Sequence, residues 1–510
     1  MRFSVSNASA PAVDAGVAVP KTTRTTKVLA LSFGSSLSML ASILFGVVAS
    51  RWLTKHDYAT LRQTFLAYEF VAPLLMLGLP NAVYYFLPRE RDCKRGVIAD
   101  NIALLVGGGL LFSLFIAFGG HQLLALRFDN TDLRHTLSWL FPYPLLVMPV
   151  AGMAAVLVCA DKTRTLAVYN LVSSLALTLS GIVAIWVTKS YEVPVLIRII
   201  VPAVFLPFAL YLMFASVPGP MRLPRWTSMK EMVRYSVPLG LATMLGSLTL
   251  QMHSVIVASI CSPEDFAVYI NGAMELPVIG IVTGSITTVV FAEMAELCAK
   301  GDKSAALQLF HKASIRSACV LFPVMCFLLA TATPFITFLY SEEYRASVVP
   351  FVIYLFILPI RIVVYGSALM ALGLTRVILV RSIFDFAINA FFCFVLVKAF
   401  GYIGAPIAIL LTLYFWTTPF NLLKIAQGFG VSWGSSLPLK DLLKILAICF
   451  LCVPLAVLGA YAFPLASVWQ LCLAAILYWP VVGYSLYYGN FFVPPARLER
   501  LIPKTFQVKH

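Results

Sequence analysis

The feature that most constrains this chain is a succession of apolar runs, each long enough to need lipid around it. A helix that spans the hydrocarbon core of a bilayer takes ~20 predominantly apolar residues. The sequence offers fourteen such stretches, at about 28–50, 63–87, 97–118, 136–160, 165–188, 193–215, 236–261, 267–290, 313–340, 347–371, 375–397, 402–424, 442–464 and 466–488. The runs are long and do not alternate apolar with polar residues. The expected fold is therefore an all-α polytopic membrane protein and not a β-barrel. Composition agrees: 60% of the residues are hydrophobic and 12% charged, against about 25% charged in soluble domains.

Positive charge tests the map. With the N-terminus inside, 26 lysines and arginines fall on inside segments and 8 on outside loops, Arg51, Lys55, Arg62 and Arg127 among the latter. Short loops rich in Lys and Arg stay cytoplasmic, so fourteen spans with both termini in the cytoplasm satisfy the count. The block "PRERDCKRG" after the second span is then an inside anchor, and Tyr84, Tyr85 and Phe86 stand where an interfacial aromatic belt belongs. The net charge of +15 is accordingly topological, and nucleic-acid binding is a poor reading of it. Residues 1–27 have no apolar core and read as a disordered cytoplasmic tail with no cleavable signal peptide.

The chain also repeats itself. "HDYATL" follows the first span and "PEDFAVY" the seventh, placing Asp57-Tyr58-Ala59 and Asp265-Phe266-Ala267 at an offset of 208 residues, while Arg164 and Arg376 open the fifth and eleventh spans 212 residues apart. Six helices per period give two parallel copies, an arrangement used by transporters that rock around a midplane site. The expected organisation is a first lobe at 28–215, a cytoplasmic linker at 216–235, a second lobe at 236–425, an extra helix pair within 440–490 and a cytoplasmic tail at 491–510. In the linker, Ser228-x-x-Glu231 has the pattern of a capping box.

Twelve repeated helices plus a pair, with "LGLPNAVYYFLPRE", "HDYATL", "FAEMAELCAKGDKSAALQLFHKA" and "GYIGAPIAILLTLYF" in this order, resemble the polysaccharide flippases of the multidrug/oligosaccharidyl-lipid/polysaccharide (MOP) exporter superfamily. The resemblance covers nearly the whole chain after the N-terminal tail. It implies a V-shaped pair of six-helix lobes, a cavity lined by spans 1, 2, 7 and 8, and a lipid-linked substrate: isoprenoid-pyrophosphate oligosaccharide turned across the bacterial inner membrane for cell-surface polysaccharide. Membrane lipids and other polysaccharide-assembly proteins are the partners it implies. Gly78-Leu79-Pro80 then reads as a bend in a cavity-lining helix, since a proline removes a backbone hydrogen bond; a kink that only improves packing is the alternative.

Ionisable groups inside spans are costly and face a cavity or a partner. Glu69 and Glu275 lie at matching depth in the second and eighth spans, either as carboxylates that exchange H+ or Na+ during transport or as a hydrogen-bonded pair between packed helices. Arg361 is the deepest cation; a guanidinium grips a pyrophosphate with a fork of donors, and an internal ion pair is the competing reading. Arg381, Asp385 and Asn389 form a stripe on the eleventh span that suits an internal salt bridge. In some superfamily members a cation is held in the second lobe; Asp385 and Asn389 offer oxygens, and Arg381 would compete with a sodium ion. Arg198 is expected to snorkel to the interface. Asn271, Gln251 and His253 complete the polar candidates.

Catalysis and metal chemistry have no support in the sequence. The ten cysteines are scattered, Cys449-x-x-Cys452 has no second pair, and neither HExxH nor a Walker loop occurs. No cofactor and no enzymatic activity are expected. The alternatives to a flippase are a cation-coupled exporter of small molecules from the same superfamily and a membrane-embedded glycan polymerase or ligase, the latter normally carrying a large outside loop.

Overall fold

The computed structural model describes residues 40–274, 276, 280, 290, 291, 293–489 and 491. Glu275, the tail at 1–27, nearly all of 491–510, and parts of the expected spans 28–50 and 267–290 lie outside these residues. Among the described residues every regular element is helical. Ten helical stretches are long and apolar enough to cross a membrane, and Leu40–Trp52 (α1) is a shorter apolar helix beside them. One of the ten, Arg376–Phe429, holds two expected spans, which meet at Gly401 with φ +61°. The outer surface is apolar: Phe118, Trp186, Phe391, Leu451 and Trp469 are all well exposed. Such a surface belongs against lipid, and the chain is a multi-pass membrane protein.

The first half places α2 (Lys55–Met76), α3 (Leu79–Arg89), α4 (Lys94–Phe115), α5 (Thr163–Thr188) and α6 (Glu192–Ala215). The second half opens with α7 (Trp226–Ile260) and α8 (Pro263–Gly272), followed by α9 (Lys303–Ala330) and, further on, α10 (Tyr365–Ala371), α11 (Thr375–Phe400), α12 (Thr418–Phe429) and α13 (Ser467–Tyr488).

The internal repeat is visible in two helix starts. Thr54 caps α2 with φ −63°, ψ 160°, its hydroxyl accepting from the Asp57 amide at 3.1 Å. Ser262 caps α8 with φ −63°, ψ 159°, accepting from the Asp265 amide at 3.1 Å. Each side chain satisfies an amide that has no partner within its helix, and each cap is followed by an acidic first turn, which suits the positive end of the helix.

Two local expectations are corrected. The Gly78-Leu79-Pro80 step is a break between two helices and not a proline kink. Leu77 (φ 40°) and Gly78 (φ 75°) are both left-handed, ending α2, and Pro80 sits in the first turn of α3, where its missing N–H costs nothing. The break lets α7 approach: a Cβ added at Gly78 would come within 2.7 Å of the Gly240 backbone, and one at Gly240 would collide with the Leu77 carbonyl. Close contact through glycine replaces hydrophobic attraction where lipid surrounds the helices. The capping box at Ser228 does not form either. α7 begins three residues earlier, with Arg225 as its N-cap. The Arg225 amide donates to Asp100 of α4 at 2.8 Å, and Arg222 pairs with the same buried carboxylate at 2.8 Å. A carboxylate distant in sequence has taken the role that a capping box gives to its local glutamate, here Glu231.

Candidate functional site

The two halves meet along α2, α6, α7 and α8, and a cavity of about 120 Å³ lies between them. Its polar wall comes from Arg62 and Glu69 of α2, Arg198 of α6, and Gln251 and Ser254 of α7. Arg62, Leu66 and Glu69 recur at helical spacing, so one face of α2 looks into the space. Arg198 Nη2 donates to Glu69 Oε1 at 3.0 Å, and the same guanidinium lies 4.2 Å from the centre of the Phe65 ring. Arg198 thus turns inward and does not snorkel: an ion pair and a ring face beside it outweigh a reach to the headgroups. Among the described residues, two guanidinium groups share this wall with one carboxylate. Arg62, placed by hydropathy on an outside loop, stands two turns inside α2 instead. Its spacing of seven residues from Glu69 was the available signal.

A larger, open cavity, about 750 Å³, lies in the second half. Arg361, Arg381, Asp385 and Asn421 line it. Arg381 Nε lies 3.2 Å from Asp385 Oδ2, and its Nη1 donates to Asn421 at 3.1 Å. Thr417 donates to the other oxygen of Asp385 at 2.9 Å. The stripe on α11 is therefore split. Its first two members face the cavity, while Asn389 turns into the protein and meets His253 Nε2 of α7 at 2.5 Å, both residues being buried. Arg381 offsets the charge of Asp385, and Asn389 does not share the cavity with it.

Asn271 is not on either wall. Buried at the junction of the halves, it accepts a 2.7 Å hydrogen bond from the Tyr58 hydroxyl. This junction belongs to one end of the bundle, where His56 contacts Asp132 of the first half at 3.1 Å and Glu264 of the second at 3.2 Å. Arg51 also reaches the carbonyls of Phe338 and Leu339 there. The opposite end carries the arginine-rich segment after α3, with Tyr85 stacked on Tyr235 of α7 at 4.2 Å. Among the described residues no group of three or more His, Cys, Asp or Glu side chains has the arrangement of a metal site.

Among curated protein sequences none matches this chain. Solved structures share its fold at low identity. The lipid II flippase MurJ, in its inward closed conformation, superposes with a TM-score of 0.72 at 13% identity, over 91% of this chain and 99% of that one. An inward-facing multidrug resistance MATE family transporter of the MOP superfamily gives 0.55 at 15% identity, over 80% and 96%. A MOP superfamily transporter from Pyrococcus furiosus gives 0.54 at 13% identity, over 83% and 96%. A family model described as polysaccharide biosynthesis protein matches residues 47–349. With more than half of its length matched, the chain belongs to the polysaccharide biosynthesis protein family, and its fold is the one seen in the MurJ flippase and the MATE transporter.

Proposed function

We propose that this protein flips an isoprenoid-pyrophosphate-linked oligosaccharide across the bacterial inner membrane by alternating access, with both termini cytoplasmic, for cell-surface polysaccharide. The observation that carries the reading is the pair of guanidinium groups, Arg62 and Arg198, on the wall between the halves, with Glu69 as the one carboxylate beside them among the described residues. A pyrophosphate is a dense anion whose oxygens match the forked donors of arginine. Rocking about that wall would expose it to either side in turn. The helix break at Leu77–Gly78, seated on Gly240, supplies a hinge between α2 and α3. Glu69, exchanging Arg198 for a proton or Na+, and Glu275 are the acidic groups proposed to couple transport to an ion gradient.

Deletion of the protein in its own cells tests this reading. Lipid-linked oligosaccharide should accumulate on the inner leaflet while its synthesis continues. Unpolymerised repeat units displayed outside would instead make the protein a polymerase, and normal surface glycan would sink both.

A further inference from the structure

The cavity within the second half has features that phosphate recognition does not use. Its wall on α11 and α12 places an acceptor, Asp385, and a donor, Arg381, side by side, flanked by Thr417 and Asn421. The Ser367 hydroxyl also lines it, 1% exposed and with no hydrogen-bond partner. A buried hydroxyl left unpaired is costly unless something else fills the vacancy. The neighbouring backbone is broken as well. Helix ends at Arg361 and resumes at Tyr365, with Val364 at φ −84°, ψ 61°. Non-helical backbone at membrane depth is tolerated where it lines a polar cavity, and such interruptions mark substrate sites in transporters.

The chemistry selects the ligand. A free cation is disfavoured because Arg381 already neutralises Asp385, and an anion is disfavoured because Asp385 faces the same space. Arg361, on the rim, is engaged by a neighbour and is not a free charge. What remains is a neutral ligand that donates and accepts at many points. Asp385 stands ten residues into α11, about 15 Å along its axis and near mid-bilayer, where a polyhydroxylated molecule needs such a lining. The volume of about 750 Å³ falls within the ~300–1,000 Å³ usual for small-ligand sites, and the ring of Tyr365 offers an apolar face on the same wall.

We propose that the second-half cavity is a sugar-binding subsite, which holds the glycan residue nearest the pyrophosphate while Arg62 and Arg198 hold the pyrophosphate itself. The proposal rests on the flippase reading above. The two cavities share one helix: Ser247 and Leu250 border the sugar subsite, and Gln251 and Ser254, four residues on from each, border the anion wall. One helical turn, about 5.4 Å, separates them, a reach suited to a sugar joined directly to a phosphate.

Photochemical capture in the native cells provides the test. Tyr365→p-azidophenylalanine probes the subsite, Phe266→p-azidophenylalanine the wall between the halves, and Phe391→p-azidophenylalanine the lipid face; Met370→p-azidophenylalanine, also on the subsite wall, replaces the first variant if that protein fails to accumulate. After irradiation the protein is purified and its covalently bound monosaccharide measured. We expect sugar at position 365 at about ten times the level at 391, and a fall of about tenfold at 365 when Asp385→Asn turns an acceptor into a donor. Sugar captured only at 266, or capture at 365 unaffected by Asp385→Asn, overturns the subsite and leaves the flippase reading standing. Sugar at neither position removes both.

Discussion

His56 and Glu264 are 208 residues apart in the chain and 3.2 Å apart in space, Nδ1 to Oε1. Each is the second residue after a hydroxyl N-cap, Thr54 for α2 and Ser262 for α8, so the contact joins equivalent positions of the two halves. The other imidazole nitrogen lies 3.1 Å from Asp132, and one ring therefore bridges a carboxylate of each half. With Tyr58 on Asn271 and Arg51 on the carbonyls after α9, this end of the bundle is laced shut. Under alternating access these are the contacts that opening toward this side must break.

The latch is expected to depend on acid in one direction. The Glu264 carboxyl is held below its ordinary value of 4.5; partial burial opposes this, and its own backbone amide and His56 outweigh the burial. A carboxyl whose pKa is lowered when the ends meet favours the closed end above its ordinary value and loses that contribution as the pH falls through the lowered one. His56, Asp132, Lys55 and Asp57 are the charged or titratable groups around it. Spin labels at Thr131 and Glu343 should report a short separation near neutrality that lengthens in acid below the ordinary carboxylate range. Glu264→Gln should lengthen it near neutrality and flatten its response to acid, and a distance indifferent to both changes removes the pair from gating.

The contact between the α2–α3 break and α7 should tolerate no side chain. Gly240→Ala drives a Cβ into the Leu77 carbonyl, and Gly78→Ala adds a left-handed residue to a 2.7 Å approach. Overpacking costs about 1–3 kcal/mol, and the left-handed backbone about 1–2 kcal/mol more. Thermal unfolding in detergent, followed by loss of the monodisperse peak, should shift down for both and furthest for the double variant. Unaltered melting would mean that the two helices are not in contact.

How much of this was legible beforehand differs by scale. The apolar runs, their helical character and the paired starts at Thr54 and Ser262 are local or periodic, and a sequence displays such features directly. Arg62 was misplaced because hydropathy sees a charge near a span end and takes it for loop, whereas the cavity that admits it is built from α6, α7 and α8 as well. Arg198 was misread for the same reason, since its partner Glu69 is 129 residues away. The proline in Gly78-Leu79-Pro80 was visible, but the left-handed Leu77 that ends the helix was not, because only contact with Gly240 fixes it. At Ser228 a sound local pattern was overridden because α7 begins earlier, where the buried Asp100 carboxylate, 125 residues away, holds the Arg225 amide.

That carboxylate should be among the most sensitive positions outside the cavities. Asp100 is fully buried, and it holds both Arg222 and the N-cap amide of α7. Asp100→Ala strands a guanidinium in a poorly solvated site, at about 3–5 kcal/mol. Asp100→Asn keeps an acceptor for the Arg225 amide and should lose less. The ordering of the two in folded yield and thermal stability checks the claim, and an alanine variant as stable as its parent would refute it.

The last prediction concerns Arg198, Arg62 and Glu69, where stability and transport should part. Replacing Arg198 or Arg62 with Gln removes donors to an anion while keeping side-chain bulk. Hydrogen bonds to charged groups contribute about 1.5–3 kcal/mol, so each variant should bind farnesyl pyrophosphate about ten- to a hundredfold more weakly than the parent in nanodiscs, and glycan export should fall with it. Glu69→Gln acts the other way on the anion. It frees Arg198 from its 3.0 Å partner and raises the local positive charge, so pyrophosphate should bind as tightly or more tightly while export slows for want of release. If Glu69 also exchanges a proton, that slower export should no longer respond to collapse of the proton gradient. A purely structural ion pair gives a different signature, with Arg198→Gln and Glu69→Gln melting early and the double variant recovering because no charge is left unpaired. Equal pyrophosphate affinity in all three single variants, at parental stability, would take the wall between the halves out of the transport path and leave the Arg361 and Arg381 side of the second half as the place to look.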